Sequence, residues 1–304
     1  MENQQGSPLK VAVIGLGSMG YGMAQSALRG GHRVWGSDIA RDQVDRFRAE
    51  GGEAGPLAVA LPELDVIALV VLNAAQTEDV LFGTDGVARH LRPGAVILSC
   101  ATVAPAFARE MAARSAELGL LYLDAPISGG AVKAASGALT IMASGPEAGF
   151  SAAGPLLDCL AERVFRLGDA AGAGSAMKAV NQLLAGVHIA AMAEALTFGL
   201  SQGITPDRFL DVIPQCAGTS WMLENRAPHI VEGDYTPRSA VDIWPKDLGI
   251  VREIAGASGC RVPLADAALA RFREASAAGL GREDDAAVAK IYAREAGLDL
   301  PGDG

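Results

Sequence analysis

The chain has 304 residues, of which 50% are hydrophobic, 20% are charged and only 5% are aromatic, and its formal net charge is −10. This length and composition fit one large core or two ordinary domains and exclude a disordered chain. The negative charge, without any basic block, argues against a nucleic-acid partner, and the longest clean apolar run, residues 66–72, is far shorter than the ~18 residues that a membrane span needs.

Two further features concern location and metal chemistry. The start, MENQQGSPLK, has neither the basic nor the apolar region of a secretion signal, so we expect a soluble, cytoplasmic protein without a membrane partner. The cysteines have the spacing of neither a zinc site nor a disulfide framework. We therefore expect no metal and predict buried thiols at Cys100, Cys159, Cys216 and Cys260.

Up to residue 168, short β-branched runs alternate with helical stretches, a pattern typical of a Rossmann-type α/β domain with a doubly wound, mostly parallel sheet. Strands are predicted at residues 10–15, 33–37, 66–71, 95–99, 121–124, 139–143 and 163–167. Helices are predicted at residues 19–29, 41–49, 105–118 and 146–160. We assign residues 1–168 to this first domain.

Beyond residue 168 the strand signals stop. Residues 175–202 predict one long apolar helix, and further helices are predicted from Thr205-Pro206 onwards and at residues 221–231, 246–257 and 263–278. We assign residues 169–304 to a second, all-α domain for substrate binding and oligomerisation. The long helix has more apolar surface than a small domain can cover, so we expect a homodimer or homotetramer. Residues after Gly297 are predicted to be a mobile tail.

The first motif is the glycine-rich turn Gly15-Leu16-Gly17-Ser18-Met19-Gly20, between the first strand and the first helix. Gly15 permits a tight turn, Gly17 allows the backbone to approach a pyrophosphate, and Gly20 lets helix and strand pack closely. A purely structural turn is the alternative, but the strand-turn-helix context favours a dinucleotide site. We therefore predict that residues 1–168 bind a nicotinamide dinucleotide.

Asp38 directly follows the second predicted strand, 18 residues after Gly20. A carboxylate there can accept hydrogen bonds from both hydroxyls of an adenosine ribose and would repel a 2′-phosphate. The alternative is that Asp38 caps the helix predicted at residues 41–49. If Asp38 binds the ribose hydroxyls, the sequence favours NAD over NADP.

A second motif, Asp124-Ala125-Pro126-Ile127-Ser128-Gly129-Gly130, follows another predicted strand. Ligands of parallel sheets collect at this edge. The Ser128 hydroxyl and the N–H groups of Gly129 and Gly130 could bind a substrate carboxylate, although an ordinary turn would have the same composition.

The long predicted helix carries a third motif, Lys178-Ala179-Val180-Asn181-Gln182. Lys178 and Asn181 are three residues apart and therefore share one helix face, in a segment that is otherwise apolar. A partly desolvated lysine can exchange a proton with a substrate hydroxyl, and a neighbouring amide can hold that hydroxyl. Taken alone, Lys178 could equally be a solvent-facing lysine near the start of a helix.

A fourth motif, Trp244-Pro245-Lys246-Asp247-Leu248, opens a late helix. Asp247 is typical of a helix N-terminus, where a negative charge is stabilising. Lys246 is the candidate of greater interest, because its ammonium group could reach a cofactor or a carboxylate.

In this order, the four motifs resemble the β-hydroxyacid dehydrogenase family, which includes 3-hydroxyisobutyrate dehydrogenase and tartronate semialdehyde reductase. The resemblance extends from residue 11 to about residue 291 and rests on the segments GLGSMGYGMA, DAPISGG with GALTIMASG, GSAMKAVNQLL, and PKDLGI. It implies that Lys178 is catalytic with Asn181 as its partner, that Ser128, Gly129 and Gly130 bind the substrate carboxylate, and that NAD is contacted by Leu72, Asn73, Thr102 and Lys246. Asn73 stands where proline is common in the family.

Within the family, residues 181–190 and 224–243 resemble a branch that acts on four-carbon aldonic acids, and Gln182 replaces a second asparagine usual in hydroxyisobutyrate enzymes. We therefore expect a dehydrogenase that oxidises such an acid, L-threonate being the first candidate, to its oxo acid. The alternatives are 3-hydroxyisobutyrate as the substrate, an NADPH-dependent reductase of glyoxylate or of succinic or tartronate semialdehyde, and a catalytically silent NAD(H) sensor.

Overall fold

The structure, a computed structural model, describes residues 8–302. Residues 1–7 and 303–304 lie outside this range. Residues 1–7 make up most of the segment from which the absence of a secretion signal was predicted. The chain divides into two compact units, Met1–Lys178 and Ala179–Gly304.

A five-stranded parallel sheet forms the centre of the first unit, with the strand order β2-β1-β3-β4-β5. Its strands are β1 (Lys10–Ile14), β2 (Arg33–Ser37), β3 (Val66–Leu69), β4 (Val96–Ser99) and β5 (Leu121–Asp124). Strands β3 and β4 are buried at every position, as expected for parallel strands that are covered on both faces. The predicted Rossmann-type fold is confirmed.

Helices cover both faces of this sheet. They are α1 (Gly20–Arg29), α2 (Arg41–Ala49), α3 (Leu57–Ala60), α4 (Ala74–Phe82), α5 (Pro105–Glu117), α6 (Gly130–Ser136) and α7 (Glu147–Leu160). Alternate residues of β1 enter different apolar clusters: Val11 and Val13 belong to one, and Ala12 and Ile14 belong to the other. The sequence of one strand thus contributes to two cores, one on each side of the sheet.

The strand order reverses between β1 and β3, because β2 lies beside β1 on one side and β3 on the other. In register, Ile14 pairs with Leu69, and Leu69 pairs with Ser99. The carboxyl ends of these three strands therefore lie level with one another. Open parallel sheets bind ligands at such a reversal point.

The last two predicted strands do not extend the main sheet. They form a separate three-stranded sheet of β6 (Ile127–Ser128), β7 (Leu139–Ala143) and β8 (Ala161–Arg166). Strand β6 runs antiparallel to β7, whereas β8 runs parallel to it. An isolated bridge joins Asp124 at the end of β5 to Ser144. This second sheet fixes the position of the segment around Ser128.

The second unit is helical among its described residues. Its helices are α8 (Ala173–Ser201), which begins in the first unit, α9 (Pro206–Val212), α10 (Trp221–Glu232), α11 (Ile243–Ser258), α12 (Pro263–Ala275) and α13 (Ala289–Ala296). Short 3-10 turns lie at Leu61–Glu63, Ala88–His90, Ile213–Gln215 and Asp285–Val288, and a π turn lies at Ser276–Leu280.

In residues 8–302, α8 is the helix long and apolar enough to cross a membrane by length and composition alone. Core helices of globular proteins can have the same length and apolar composition. Ile189, Met192 and Leu196 of α8 are almost fully buried in the core of the second unit, where Trp244 stacks on Phe272 at 5.5 Å between ring centroids. One face of α8 is therefore packed in the core of the second unit.

A buried polar cluster connects α10 to the segment after the π turn. His229 Nδ1 donates to Asp284 Oδ1 at 2.8 Å, and Asp285 accepts from Arg226 Nε at 2.5 Å and from Trp244 Nε1 at 2.9 Å. Burial opposes ionisation of Asp284, but the hydrogen bonds from His229 and from backbone amides keep its pKa below the usual value. Burial dominates at Asp285 and raises the pKa of that carboxyl.

Three sequence predictions need correction. Helix α11 begins at Ile243 rather than at Lys246, because Pro245 fits the first turn, where its missing N–H would have no helical partner. Leu300 is buried, so the mobile tail is wrong for residues 298–302.

The third correction concerns the cysteines. Cys100 is buried, and its burial raises the pKa of the thiol to about 12. Cys159 is only half-buried, and Cys216 and Cys260 are exposed. Both exposed cysteines lie beside helix ends rather than inside a core.

Candidate active site

The glycine-rich turn joins β1 to α1 at the reversal point of the sheet. Gly15 has φ +96°, and a Cβ atom there would lie 2.4 Å from the Val70 carbonyl oxygen. A Cβ atom on Gly20 would lie 1.8 Å from the Gly15 carbonyl oxygen. Gly17 differs, because a Cβ atom there would meet nothing within 4 Å. Two glycines thus close the turn, and the third leaves open space at the start of α1, where N–H groups favour an anion.

Asp38 follows β2 and is bonded to this turn. Its Oδ2 accepts from the Leu16 amide at 2.6 Å, and its Oδ1 accepts from the Ala40 amide at 2.8 Å. The N-cap of α2 is Ala40, so the alternative role of Asp38 as the helix cap does not hold. Each carboxylate oxygen keeps a lone pair for a ribose hydroxyl.

A cleft of about 530 Å³ lies along the turn, and its lining includes Leu16, Gly17, Ser18 and Asp38. The open side of Gly17 and the carboxylate of Asp38 are the features that a pyrophosphate and an adenosine ribose require. Met19, the remaining member of the turn, is the N-cap residue of α1. The residues present therefore fit the adenosine diphosphate half of a nicotinamide dinucleotide.

The other predicted cofactor residues of the first unit follow neighbouring strands. Leu72 and Asn73 come after β3, and Thr102 comes after β4. Asn73 caps α4 by accepting from the Gln76 amide at 2.9 Å, and the Leu72 amide donates to Gln76 Oε1 at 2.8 Å. All three residues thus stand on the carboxyl edge of the sheet, and their contact with a cofactor stays a prediction.

The predicted substrate loop begins in β6. Ser128 pairs with Thr140 in β7, and Gly129 and Gly130 have φ values of +135° and +76°. Any residue with a Cβ atom would be strained at either position, because positive φ values are readily adopted only by glycine. The backbone therefore turns sharply just after Ser128, whose side chain is half-buried.

Lys178 lies near this loop. It is only 8% exposed, and its Nζ donates to the Ile127 carbonyl oxygen at 2.9 Å. The solvent-facing alternative for Lys178 is therefore excluded. The structure brings the ammonium group next to the peptide that joins Ile127 to Ser128.

Asp124 is a residue to which the sequence assigned no role, although it opens the substrate motif. Its buried carboxylate accepts from the Gly172 amide at 2.9 Å, the Ser175 amide at 2.9 Å and the Ser175 hydroxyl at 2.6 Å. The Ser144 hydroxyl, 3.3 Å away, completes the set. Asp124 thus anchors the first turn of α8, one turn before Lys178, to the end of β5.

The second unit contains a chain of polar contacts that includes two predicted site residues. Asn181 Nδ2 donates to Gln182 Oε1 at 2.9 Å, and Gln182 Nε2 donates to Asp247 Oδ2. The Lys246 Nζ lies 2.7 Å from Asp247 Oδ1. Sequence reasoning identified Asn181 and Lys246 but not the link between them. Asp247 was expected only to stabilise the N-terminus of a helix by its charge. In the structure its carboxylate contacts the side chains of Gln182 and Lys246.

Comparison with known proteins identifies the family of both parts of the chain. Residues 10–168 match the model of the NAD binding domain of 6-phosphogluconate dehydrogenase, and residues 172–292 match that of the NAD-binding domain of NADP-dependent 3-hydroxyisobutyrate dehydrogenase. An L-threonate dehydrogenase from Cupriavidus necator is 52% identical over 96% of this chain and 98% of its own. One from Escherichia coli K12 is 48% identical over 98% of each chain.

A solved structure is also similar. The crystal structure of 3-hydroxyisobutyrate dehydrogenase from Salmonella typhimurium has a TM-score of 0.89 and 49% identity, and the match covers 93% of this chain and 99% of that one. Both halves of the chain and its full length thus match one family. The chain belongs to the 3-hydroxyisobutyrate dehydrogenase-like family of β-hydroxyacid dehydrogenases, oxidoreductases that act on the CH–OH group of hydroxyacids with a nicotinamide dinucleotide.

Proposed function

We propose that this protein is an NAD-dependent dehydrogenase that oxidises L-threonate to its oxo acid, with Lys178 as the general acid/base. The observation that carries the proposal is the placement of the buried Lys178 ammonium beside the peptide of Ile127 and Ser128. A proton-exchanging group and a carboxylate-binding loop are thereby adjacent, as the oxidation of a hydroxyacid requires.

In this mechanism, Ser128 and the amides of Gly129 and Gly130 hold the substrate carboxylate. In the oxidation direction Lys178 acts as the neutral amine, whose Nζ lone pair takes the hydroxyl proton and becomes the ammonium group. In the reduction direction that ammonium group returns the proton. The dinucleotide, when bound, supplies the hydride acceptor. Asn181 lies three residues from Lys178 on α8 and holds a substrate hydroxyl. The chain thus orients the acid and moves one proton, which contributes typically 10²–10⁴-fold to the rate.

The choice of NAD over NADP rests on Asp38. Its carboxylate is held by the amides of Leu16 and Ala40, so it cannot readily turn away from a ribose in the cleft. A 2′-phosphate there would face a fixed negative charge. By the family resemblance, Lys246 is a further cofactor contact.

L-threonate is the proposed substrate because relatives that are 52% and 48% identical over nearly the full chain are L-threonate dehydrogenases. A site with several polar partners also satisfies a polyhydroxylated acid better than a methyl-bearing one. The second candidate is 3-hydroxyisobutyrate, which the Salmonella structure favours through its 49% identity. Activity with L-threonate and with 3-hydroxyisobutyrate distinguishes the two.

We further propose a homodimer or homotetramer in which a second copy covers α8. Val180, Leu184 and Phe198 are 56%, 49% and 67% exposed, and their spacing places them along one stripe of the helix. Exposed apolar stripes of this kind are typical of subunit interfaces. Light scattering should show a smaller species for Leu184→Asp than for the wild type, and an unchanged mass would refute this interface. We expect the oligomer in the cytoplasm.

The function is tested by NADH production over a panel of C3 to C6 hydroxyacids. Lys178→Ala should reduce kcat by a factor on the order of 10²–10⁴ and leave NADH binding almost unchanged. The matched control is Lys133→Ala, which removes a half-exposed lysine of α6 and should retain activity. Near wild-type turnover by Lys178→Ala would remove Lys178 from the mechanism. Tight NADH binding without turnover of any acid would indicate a sensor instead.

A further inference from the structure

The amides of Asn181 and Gln182 form a directional chain that ends on a carboxylate. Asp247 is buried, and its Oδ1 lies 2.7 Å from the Lys246 ammonium group. A carboxylate paired with an ammonium group is an acceptor only. The contact between Gln182 and Asp247 Oδ2 therefore has one possible direction, in which the Nε2 of Gln182 donates.

This direction determines the next contact. With Nε2 turned to Asp247, the Gln182 side chain presents its Oε1 to Asn181, and only the Nδ2 of Asn181 can donate to it, at 2.9 Å. The Oδ1 of Asn181 is then the end of the chain. Within residues 8–302 no hydrogen bond to this oxygen is made, so Asn181 offers the substrate an acceptor at Oδ1, while its Nδ2 is held on the side of Gln182 and keeps one further N–H.

An acceptor at Asn181 restricts which hydroxyl it can bind. The reacting hydroxyl of the substrate carries one proton, and the proposed mechanism transfers that proton to Lys178. The Oδ1 of Asn181 must therefore take its hydrogen bond from a different donor. The donor that a hydroxyacid can supply within reach of one helix turn is the hydroxyl on the carbon next to the reacting carbon.

We infer that Asp247 is a specificity-determining residue, which acts through Gln182 to fix Asn181 as an acceptor and so selects hydroxyacids with a second, vicinal hydroxyl group. This inference rests on the proposed function. It predicts that the site distinguishes a vicinal donor from a vicinal acceptor of the same size.

Fluorine is the probe, because it resembles a hydroxyl group in size but has no proton to donate. The substrates are L-threonate and its 2-deoxy-2-fluoro and 3-deoxy-3-fluoro analogues, of which the one that keeps the reacting hydroxyl is the informative one. For the wild type, we expect kcat/KM to be higher for the hydroxyl compound by a factor on the order of 10² or more.

Asp247→Asn should lower this preference about tenfold, because an amide at position 247 can donate to Gln182 and let the whole chain reverse. Asn181 then presents its Nδ2, which tolerates fluorine. The inductive effect of fluorine on hydride transfer is common to both enzymes and cancels in the ratio of ratios. The matched control, Asp247→Glu, keeps an acceptor-only group and should keep the wild-type preference. Equal preferences in the wild type and Asp247→Asn would overturn the inference.

A second measurement does not depend on turnover. Neutron diffraction from deuterated wild-type crystals locates the amide deuterons, which should lie on the Asn181 nitrogen facing Gln182 and on the Gln182 nitrogen facing Asp247. The reverse arrangement would overturn the inference even if L-threonate is the substrate. A wild type that oxidises no hydroxyacid would instead refute the proposed function, and one that prefers an acid without a vicinal hydroxyl would refute the specificity.

Discussion

The anchor of α8 at Asp124 can be tested by stability alone. Asp124→Ala removes the acceptor of the Gly172 and Ser175 amides, and both amides are buried. Each buried donor left without a partner costs about 1–3 kcal/mol, so the pair should cost about 2–6 kcal/mol. The hydroxyls of Ser144 and Ser175 can rotate to other partners and add little. We expect a loss of about 4 kcal/mol in the free energy of unfolding.

The assay is urea unfolding followed by circular dichroism. With a slope of about 2 kcal/mol per molar urea, Asp124→Ala should lower the midpoint by about 2 M. Asp124→Asn keeps one oxygen that can accept from both amides, and its new N–H can donate to the Ser175 hydroxyl. We therefore expect a loss of only about 1 kcal/mol for Asp124→Asn, or about 0.5 M.

The control is Asp45→Ala, because Asp45 is an exposed residue of α2 with a 3.7 Å ion pair to Arg48. Exposed pairs contribute at most ~1 kcal/mol, so its midpoint should barely move. A shift for Asp124→Ala no larger than that of Asp45→Ala would refute the anchor. Equal shifts for Asp124→Ala and Asp124→Asn would show that the negative charge matters, and not the acceptor geometry.

Three further predictions concern the cofactor cradle and the acid stability. Asp38→Ala should lower kcat/KM with NAD and raise the ratio of kcat/KM with NADP to kcat/KM with NAD. A wild type that already prefers NADP would contradict the role of Asp38. Gly17→Val should weaken NADH binding at least about tenfold with little change in the urea midpoint, whereas Gly20→Ala should lower the midpoint itself, because its Cβ atom has no space. The pKa of Asp284 is lower in the folded protein than the unfolded value of about 3.9, so ionised Asp284 stabilises the fold above that pH, and this stabilisation is lost as the pH falls through the folded pKa. The pKa of Asp285 is raised in the folded protein, so its protonation favours the folded state as the pH falls. Between pH 5 and 3, Asp284→Asn should therefore lose less stability than the wild type and Asp285→Asn more, and parallel curves would contradict both assignments.

Strands were predictable where an apolar run is bounded by polar residues or glycine. Three strands have the predicted limits, namely β2, β5 and β7. Strand β6 has two residues, too few for any alternation to appear, and it forms only because β7 lies beside it. The split into two sheets was not predictable, because a strand's own residues do not indicate which neighbour it pairs with.

One missed helix did carry a local signal. Asn73 and Gln76 stand in the N-x-x-Q arrangement of a capping box, and the Gln76 amide donates to Asn73 Oδ1 at the start of α4. The side chain of Gln76 accepts from the amide of Leu72, one residue before the cap, rather than from that of Asn73. By the family resemblance Asn73 is a predicted cofactor contact, and in the structure the same residue is the N-cap of α4. Its amide oxygen accepts from the Gln76 amide, and this bond orients the Asn73 side chain.

The candidate site was predictable only residue by residue. Lys178 and Asn181 were found because polar residues are unusual in an apolar helix, and that signal is local. Asp247 lies 65 residues beyond Gln182, and no periodicity relates them. Their pairing depends on how α8 and α11 pack, which is a property of the tertiary structure of the second unit.

Helix α8 is apolar enough to cross a membrane by composition, but its buried polar residues fix the way it packs in this fold. Ser175, Lys178 and Gln182 follow one another at intervals of three and four residues, and all three are buried. Burying a polar group without a partner costs several kcal/mol in an apolar medium, yet each of these has one: Ser175 bonds to Asp124, Lys178 to Ile127, and Gln182 to Asp247. Each partner lies on a different element, so a rotation of α8 by one residue would break all three bonds at once. The same bonds that offset the burial of polar groups therefore fix the rotation of α8, and with it the direction in which Lys178 and Asn181 face.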